Sequence, residues 1–260
     1  MKLSVVIRNK NQDKALGFLL KNLRERYADD IAEIVVIDNL STDKSEEVTA
    51  SYKARFESIE KFSYGGSANF AAQKASCDIV VIFSAHSYPV SHDFFKLIKM
   101  AFEKNKNLAG VRCLHNSNDY KNYINKLSSK EDPNRAGLIF SGSAFNKKVW
   151  EKHPFNEEVA TFEDKEWSKR VLEHGYEIDL VPAIFNYEIK RTKQQLFFRF
   201  KNDLIGNYQL WHQDVYYKSA FNGLIMGFYR AFKNLISDIY YVWKRFFYVL
   251  SFVSNKPKKF

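Results

Sequence analysis

Two adjacent carboxylates, Glu163 and Asp164, stand in the segment 162–170, at the start of a predicted helix. Acids are favoured at that end of a helix by its dipole, which gives them a structural explanation. A carboxylate that stays ionised in a crevice is also what a general base requires when a hydroxyl must lose its proton as it attacks. The pair is therefore a candidate catalytic group, and the sequence leaves the structural alternative open.

Asp38 is a second candidate, because it ends the apolar run Glu33–Ile37 and precedes the polar turn Asn-Leu-Ser-Thr-Asp. Ligands of parallel α/β sheets bind at the carboxyl ends of the strands, so its carboxylate should face a crevice. A nucleobase imide or a ribose hydroxyl would suit it there. The alternative is that Asp38 caps the helix that follows Ser41.

A glycine pair, Gly65-Gly66, precedes a predicted helix that begins at Ser67. Free backbone amides and the positive end of the helix dipole can hold a phosphate at such a place. A tight turn without a ligand is the competing interpretation.

Ser84-Ala85-His86 directly follows an apolar run that has the character of a strand buried on both faces. A neutral His86 imidazole could bind a divalent ion or contact a phosphate. A lone histidine at a strand end can equally be a hydrogen-bonded structural residue.

These candidates need a frame of alternating strands and helices, and the pattern supplies one. Strands are predicted at Leu3–Ile7, Glu33–Ile37, Ile59–Phe62, Asp78–Ser84 and Gly110–Cys113, with a further run at Leu138–Ala144. Helices are predicted at 13–27, 43–51, 67–76 and 93–104, from Lys147 onward, and within 161–176, ending at Gly175. The polar stretch 116–133 is predicted to be a mobile loop. Strands joined by crossover helices lie parallel, so the sequence predicts an α/β fold with a mainly parallel central sheet flanked by helices.

Charge divides the chain into two parts. The net charge is +10, and residues 189–260 hold 13 Lys and Arg against 3 acidic residues, so the first 188 residues are balanced. The same tail carries 19 of the 42 aromatic residues. We therefore predict one domain over 1–188 and a basic, aromatic, helical extension over 189–260. The two cysteines, Cys77 and Cys113, are too few for a disulfide framework and suit a reducing cytoplasm.

The chain resembles family 2 glycosyltransferases of the GT-A fold over roughly residues 3–188. Five segments carry the resemblance in order: SVVIRNKNQ, EIVVIDNLSTD, FSYGGSANFAAQKASCDIVVIFSAHSYPV, FSGSAFNKKVWEKHPFNEE and FEDKEWSKRVLEHGYEIDLVP. Within the family, the IRxKN, FSxGxSxN and SAHxYP patterns look like a bacterial subgroup that decorates surface polysaccharides.

The resemblance implies a set of residues that contact a nucleotide-sugar donor. These are Ile7, Arg8, Asn9 and Asp38 at the base and ribose, and Gly66, Ser67 and Asn69 in a turn that lines the donor. It further implies that Asp164 is the catalytic base of an inverting enzyme, with Glu163 as the second choice. The acceptor hydroxyl would then displace the nucleoside diphosphate in line, and the charge on the leaving phosphates must be stabilised.

Two departures from the family concern the diphosphate. Ser84-Ala85-His86 replaces the usual Asp-x-Asp motif that holds Mn²⁺ or Mg²⁺, so His86 would be the one protein ligand of an ion otherwise held by substrate. Alternatively, Lys190, Arg191 and Lys193 neutralise the diphosphate without a metal. The segment 185–188 also lacks histidines that related chains often carry, which favours the metal-free alternative slightly.

The tail 194–252 interleaves aromatic and aliphatic residues with Lys and Arg. Tyr and Trp favour the bilayer interface and basic residues favour anionic headgroups, so we predict amphipathic helices that lie on a membrane. The alternative is that they pack on the α/β domain or form an oligomer interface. Bulky aliphatics among the charges, and the absence of a recognised module, argue against nucleic acid as a partner.

The sequence thus predicts an inverting glycosyltransferase that acts on a lipid-linked or growing surface glycan such as capsule, lipopolysaccharide or exopolysaccharide. It would be cytoplasmic and peripheral on the inner face of the cytoplasmic membrane. One alternative is a degenerate GT-A domain that binds or assembles without catalysis. The other is a nucleotidyltransferase, for which the segment after the first strand lacks the usual glycines.

Overall fold

The structure, a computed structural model, describes residues 2–188 and 191–260. The chain divides into two compact units, Met1–Leu210 and Trp211–Phe260. The division predicted after residue 188 rested on charge and aromatic content, and it stays a prediction.

Eight strands of the described residues form one sheet in the order β3-β2-β1-β4-β7-β6-β8-β5. Their bounds are β1 Leu3–Asn9, β2 Glu33–Asp38, β3 Arg55–Ser58, β4 Ile79–Ser84, β5 Ser87–Pro89, β6 Leu108–Leu114, β7 Ser143–Asn146 and β8 Glu177–Tyr187. The β3-β2-β1-β4 half is parallel, β6 and β8 are parallel, and β7 and β5 pair antiparallel with their neighbours. The predicted α/β class is confirmed.

The helices of the first unit are α1 Asp13–Arg26, α2 Ser45–Ser51, α3 Tyr64–Lys74, α4 Phe94–Lys104, α5 Ser117–Ile124, α6 Pro133–Ala136, α7 Lys147–Lys152, α8 Glu163–Glu173 and α9 Lys193–Trp211. The helix α10, Tyr217–Ser254, follows in the second unit. The predicted C-terminal helical extension is therefore present. Among residues 2–188 and 191–260, no helix combines the length and the apolar character needed to cross a bilayer.

The sheet is buried on both faces. Val5 and Ile7 of β1 pack with α1 and α4 on one side, and Val6 packs with α3, α7 and α8 on the other. Continuous burial explains why the central strands read as unbroken apolar runs rather than as alternating ones.

The parallel register aligns the carboxyl ends of the central strands. Asn9 lies opposite Asp38 of β2, and Arg8 lies opposite Ser84 of β4. Because these residues end three neighbouring strands, their side chains meet at one edge of the sheet. The fold thus brings together the strand ends at which the candidate residues were expected.

Two local predictions were wrong. The strand expected at Ile59–Phe62 is β3, Arg55–Ser58, which pairs parallel with β2. The stretch 116–133 is not wholly a loop, because Asn116 caps α5 by accepting from the amides of Asn118 and Asp119. Asp119 also pairs with Arg112 of β6 at 2.6 Å, and this contact ties α5 to the strand that precedes it.

Candidate active site

Arg8, near the carboxyl end of β1, joins the elements of the crevice. Its guanidinium donates to Ser67 Oγ of α3 at 3.3 Å and to Glu163 Oε1 of α8 at 3.2 Å. The guanidinium carbon lies 6.0 Å from the centroid of the Tyr64 ring and 5.6 Å from that of Phe140. The side chain is only 10% exposed, so this cation is held in a place of low polarity by one carboxylate and two aromatic rings.

The turn into α8 has an unusual backbone. Phe162, which precedes the helix, has φ +68° and ψ 26°, the left-handed region that a bulky residue adopts at a cost. Its ring packs against Gly206 of α9, where a Cβ atom would come within 2.6 Å of it. The neighbouring carboxylates, Glu163 and Asp164, therefore begin a helix whose entry is fixed by packing rather than by a capping side chain.

Asp164 and Glu163 differ in what they contact. Asp164 Oδ2 accepts from the Phe140 amide at 2.7 Å and Oδ1 accepts from the Lys165 amide at 2.8 Å. Asp164 keeps part of its surface exposed, whereas Glu163 is only 4% exposed and faces Arg8. Asp164 is thus the more accessible of the two, and its carboxylate is oriented by backbone donors.

Burial affects the ionisation of both groups. Burial, followed by the charge of Asp164, raises the pKa of Glu163 to about 7, against the opposing effect of Arg8. Burial also raises the pKa of Asp164, and the Phe140 amide opposes that rise. A raised pKa brings a carboxylate closer to the range in which it can exchange a proton near neutral pH.

Asp38 lies in a polar network at the ends of β1 and β2. It is 2% exposed and accepts from Asn9 Nδ2 at 2.8 Å and from the Ser41 amide and hydroxyl, both at 2.6 Å. Asn9 also donates to Ser45 Oγ at 2.8 Å. Asp38 therefore holds a turn and does not cap α2, whose first amide, that of Ser45, donates to Asp43 Oδ1 at 3.1 Å. The capping alternative was wrong, and a role of Asp38 toward a nucleotide stays a prediction. Ile7 is fully buried, backbone included, so its predicted contact with the donor stays a prediction.

The start of α3 differs from the predicted phosphate site. The helix begins at Tyr64, and the Gly66 amide donates to Ser63 Oγ at 2.9 Å instead of remaining free. Ser67 is fully buried, and its Oγ accepts a hydrogen bond from Arg8, so its side chain does reach the crevice. The prediction of a free amide at Gly66 was wrong, because the serine two residues before the glycine pair caps the helix.

Asn69 serves the protein rather than a ligand. Its carbonyl accepts from Trp150 Nε1 at 2.8 Å and from the Phe155 amide at 2.9 Å. Its amide donates to the Phe155 carbonyl at 3.0 Å and to Glu157 Oε1 at 2.8 Å. These four bonds use its side chain fully, so the predicted donor contact at Asn69 is not available to it.

His86 presents one unsatisfied nitrogen. Its Nδ1 pairs with Gln12 Oε1 at 2.9 Å, and its ring meets Tyr187 edge-on at 4.8 Å. Nε2 is buried without a hydrogen-bond partner. Burial, followed by the charges of Arg191 and Arg8, lowers the pKa of His86 to about 4. Because Gln12 Oε1 can only accept, the proton of this neutral ring belongs on Nδ1, which leaves the Nε2 lone pair free.

Ser84 and Arg191 flank His86. The Ser84 amide donates to Ser141 Oγ at 2.8 Å and to Ser87 Oγ at 3.1 Å, which ties the end of β4 to the loop before β7. Arg191 lies 6.0 Å from the centroid of the Tyr187 ring, and its charge also acts on Tyr64. Lys190, the other predicted diphosphate residue, lies outside the described residues.

A polar cavity of about 450 Å³ lies among residues of β6, α5 and α6. It is lined by Arg112, Asn116, Asn118, Asp119, Lys121, Asn122, Asn134 and Arg135. Lys165 Nζ donates to Asn134 Oδ1 at 2.6 Å, so the residue after Asp164 reaches the cavity wall. Amides and cations of this kind suit a hydroxyl-rich or anionic ligand.

The model of glycosyl transferase family 2 matches residues 4–170 of the sequence, which is more than half of the chain. The chain belongs to glycosyltransferase family 2. The crevice residues described above lie within the matched segment, except Tyr187 and Arg191, which follow it. No curated protein matches the sequence.

Solved structures of family 2 chains share the fold. A mannosyltransferase from Pyrobaculum calidifontis, in complex with GDP-Man and Mn²⁺, has a TM-score of 0.65 at 18% identity, covering 82% of this chain and 65% of that chain. Glucosyl-3-phosphoglycerate synthase from Mycobacterium tuberculosis has a TM-score of 0.57 at 15% identity, with 75% of each chain covered. S. aureus TarS, in complex with UDP-GlcNAc, has a TM-score of 0.57 at 16% identity, covering 74% of this chain and 60% of that chain. The present chain thus spans less than two thirds of the first and third of these, and the predicted GT-A fold is confirmed.

Several residues of this family 2 crevice escaped the sequence analysis. Gln12, Tyr64, Phe140 and Tyr187 contact Arg8, His86 or Arg191 from four separate segments. Their contacts are made across long stretches of sequence, and no local pattern signals them. The polar composition of 112–135 was the available sign of the cavity.

The raised pKa of Glu163 predicts a measurable pH dependence of stability. Glu163 stabilises the fold most when it is protonated, so its contribution is complete below pH 4.5 and is lost as the pH rises to about 7. Glu163→Gln does not titrate at this position, so wild type should lose stability relative to this variant over that window. Urea unfolding of both proteins between pH 4 and pH 8 measures the difference. Glu173→Gln, at the exposed end of the same helix, is the control and should run parallel to wild type. A parallel curve for Glu163→Gln would contradict the raised pKa.

Proposed function

We propose that the chain is an inverting glycosyltransferase that moves a sugar from a nucleotide-sugar donor to a hydroxyl of a lipid-linked or growing surface glycan. The observation that carries the proposal is the meeting of Arg8, His86 and the Glu163-Asp164 pair at the carboxyl edge of the sheet. One cluster there offers cations for a diphosphate and a carboxylate for a hydroxyl. The three structural neighbours were solved in complex with GDP-Man, with UDP and glucosyl-3-phosphoglycerate, and with UDP-GlcNAc, respectively. These ligands support a nucleotide-sugar donor for this chain.

Asp164 is the proposed base. Its partial exposure lets an acceptor hydroxyl approach, and the Phe140 and Lys165 amides fix its carboxylate. As the acceptor oxygen bonds to the anomeric carbon, Asp164 takes its proton and the bond from that carbon to the diphosphate breaks on the opposite face. Glu163, buried against Arg8, then acts as a positioning residue that holds the guanidinium in place.

Arg8 and Arg191 are proposed to stabilise the charge of the leaving diphosphate. Both act electrostatically on His86, and both act on Tyr64, so the two guanidinium groups share one region. Fixed cations in a partly desolvated crevice stabilise developing negative charge more than the same groups in water. Lys190 and Lys193 remain further candidates by sequence.

His86 fits one ligand position of a divalent ion. Its buried Nε2 has no partner, and Gln12 fixes the tautomer by accepting from Nδ1, the arrangement that metal-binding histidines favour. Among the described residues no group of three or more His, Cys, Asp or Glu could hold an ion. The remaining ligands of Mg²⁺ or Mn²⁺ would be diphosphate oxygens and water. Such an ion would neutralise diphosphate charge together with Arg8 and Arg191.

We propose the polar cavity whose wall Lys165 contacts as the acceptor side. Its side-chain amides match sugar hydroxyls, and Lys121 and Arg135 add positive charge that suits a phosphorylated or carboxylated acceptor. Lys165, adjacent to Asp164, contacts its wall. An acceptor bound there would need to extend a hydroxyl past Lys165 to the base.

Removal of the base should abolish turnover. Asp164→Asn keeps the shape of the side chain and the bond from Phe140, yet it cannot take a proton, so donor hydrolysis should fall at least about a hundredfold. Release of nucleoside diphosphate from UDP-glucose, UDP-GlcNAc and GDP-mannose, with water as acceptor, measures it. Glu163→Gln should lose less, roughly tenfold, because it weakens only the hold on Arg8.

Three outcomes of that assay bear on the alternatives. Arg135→Gln is the matched control and should leave hydrolysis unchanged, because its proposed role concerns the acceptor. If Glu163→Gln abolished turnover and Asp164→Asn retained it, the two roles would be exchanged. If wild type turned over no sugar nucleotide but bound nucleoside diphosphate, the degenerate binding domain would replace the enzyme, whereas pyrophosphate release would indicate a nucleotidyltransferase.

The ion should bind only together with nucleotide. Arg8 and Arg191 repel a cation from His86 until a diphosphate neutralises them, and one imidazole is a weak site alone. Mn²⁺ alone should therefore leave the thermal midpoint unchanged, whereas Mn²⁺ with UDP or GDP should raise it more than the nucleotide does. His86→Ala should remove the extra increment and keep the effect of nucleotide. An increment that persists in His86→Ala would contradict this role.

We also propose that the basic aromatic segment 194–252 contacts an anionic membrane, and we place this contact on α9. Leu196, Phe197, Phe198 and Phe200 are each more than half exposed there. Lys193, Arg199 and Lys201 stand among them. An apolar body beside cations suits the headgroup region of a bilayer. The chain would then lie at the inner face of the cytoplasmic membrane, near a lipid-linked acceptor.

Binding to vesicles tests the role of α9. Replacing Phe197 and Phe198 together by Ser should weaken co-flotation with phosphatidylglycerol–phosphatidylethanolamine vesicles about tenfold or more, because two aromatic side chains leave the interface. Phe18→Ser removes a similarly exposed aromatic from α1 and serves as the control. Equal binding of both variants would refute the placement on α9.

A further inference from the structure

The helix α10 carries a regular apolar seam. Its residues alternate by four and three positions through Phe221, Ile225, Phe228, Phe232, Leu235, Ile239, Val242, Phe246, Val249 and Val253. Every member is apolar, and the alternation continues without a break over more than four heptads. A spacing of 3.5 residues is the mark of helices that wrap around one another.

The line of residues directly opposite the seam is polar or lacks a side chain. We assign position a to Ile225, Phe232, Ile239, Phe246 and Val253, and position d to the other seam residues. Position f, the point farthest from the seam, then holds Gly223, Arg230, Ser237, Lys244 and Ser251. The seam and its back are therefore both periodic. A helix packed through this seam would keep its f positions in water.

The seam has no cover within its own unit. Every residue of α10, all of them described, is exposed, including Phe228 at 71% and Phe232 at 67%. Apolar surface of this extent does not stay in water in a stable state. A partner is needed, and its chemistry has to match the seam.

Charge at the edge of the seam selects the partner. Asp238 is the one acidic residue in the sequence of α10, and it stands at position g, as does Arg245 one heptad later. When two copies run antiparallel with Ile239 opposite Val242 of the other copy, Asp238 of each copy faces Arg245 of the other. In a parallel pair, residues at g face residues at e, and Asp238 would face Trp243 instead. Edge charges set orientation in coiled coils, so this pattern favours the antiparallel pair.

The same register fills the rest of the seam. It places Phe232 opposite Val249, Leu235 opposite Phe246 and Phe228 opposite Val253, which are all apolar layers. On the edge away from the charges, Ile236 faces Trp243. The overlap covers residues 228–253, about 39 Å of helix. An anionic lipid surface would attract the five Lys and Arg residues of α10 but, unlike a second copy, would offer Asp238 no partner.

We propose that α10 is a dimerisation helix, which pairs with α10 of a second copy of this chain as an antiparallel coiled coil held by two reciprocal Asp238–Arg245 ion pairs. The proposal concerns assembly and is independent of the proposed sugar transfer. It assigns the seam to protein and leaves the membrane contact to α9.

A charge-swap series on the full chain tests the pairing. Asp238→Arg or Arg245→Asp alone turns both ion pairs into like-charge contacts, so the dimer dissociation constant should rise on the order of tenfold or more. The double variant D238R/R245D restores opposite charges and should return the constant to within about threefold of wild type. Sedimentation equilibrium over a range of protein concentrations measures all four proteins.

Lys244→Asp is the matched control, because it makes a comparable charge change at an f position and should leave dimerisation intact. Equal weakening in the double variant and both single variants would overturn the ion pairs. A wild type that stays monomeric and floats with phosphatidylglycerol vesicles, with Lys244→Asp weakening flotation, would assign α10 to lipid and overturn the proposal.

Disulfide trapping tests the register even if charge effects are small. In a Cys77→Ser background, a mixture of Ile239→Cys and Val242→Cys chains should give mainly the 239–242 crosslink under mild oxidation. Homodimeric 239–239 crosslinks as the main product would indicate a parallel pair and contradict the antiparallel arrangement.

Discussion

A buried guanidinium at the end of the central strand is the interaction on which the site depends. Arg8 is 10% exposed and bridges α3 through Ser67 and α8 through Glu163, while its charge reaches His86. A guanidinium buried in such a place needs hydrogen-bond partners, and Ser67 and Glu163 supply them. The requirement to satisfy Arg8 therefore brings together elements that are far apart in sequence. It also provides positive charge at the point where a diphosphate is proposed to leave.

The other residues of the crevice adopt conformations that depend on their contacts around this cation. Phe162 takes a left-handed conformation that aligns Glu163 with Arg8 and leaves Asp164 partly exposed between two backbone donors. Strain of this kind persists where the surroundings enforce it, here through packing against Gly206. The adjacent carboxylates consequently occupy different environments. That difference in environment is why one can hold Arg8 while the other is proposed to serve as a base.

The C-terminal segment presents two apolar surfaces of different design. The exposed aromatics of α9 stand among Lys and Arg, which suits an anionic interface, whereas α10 has a strict 3.5-residue seam with matched charges at its edge. Treating the whole tail as one basic aromatic region hides this distinction. Net charge describes both helices equally, and only the position of each charge relative to the apolar residues separates them.

The sequence by itself determined the family, the α/β class and most element positions. The order of the motifs can be read directly along the chain, and strands buried on both faces of the sheet stand out as unbroken apolar runs. Asp38, His86, Arg8 and the Glu163-Asp164 pair were all found as chemistry-bearing residues at strand or helix ends. Tertiary structure alone decided which of them are free to act. The Asn69 side chain is hydrogen-bonded to Phe155 and Trp150, and the Gly66 amide is hydrogen-bonded to Ser63. His86 Nε2, by contrast, has no hydrogen-bond partner. Whether a polar atom is satisfied depends on partners brought in from distant segments, and a sequence pattern carries no record of those partners.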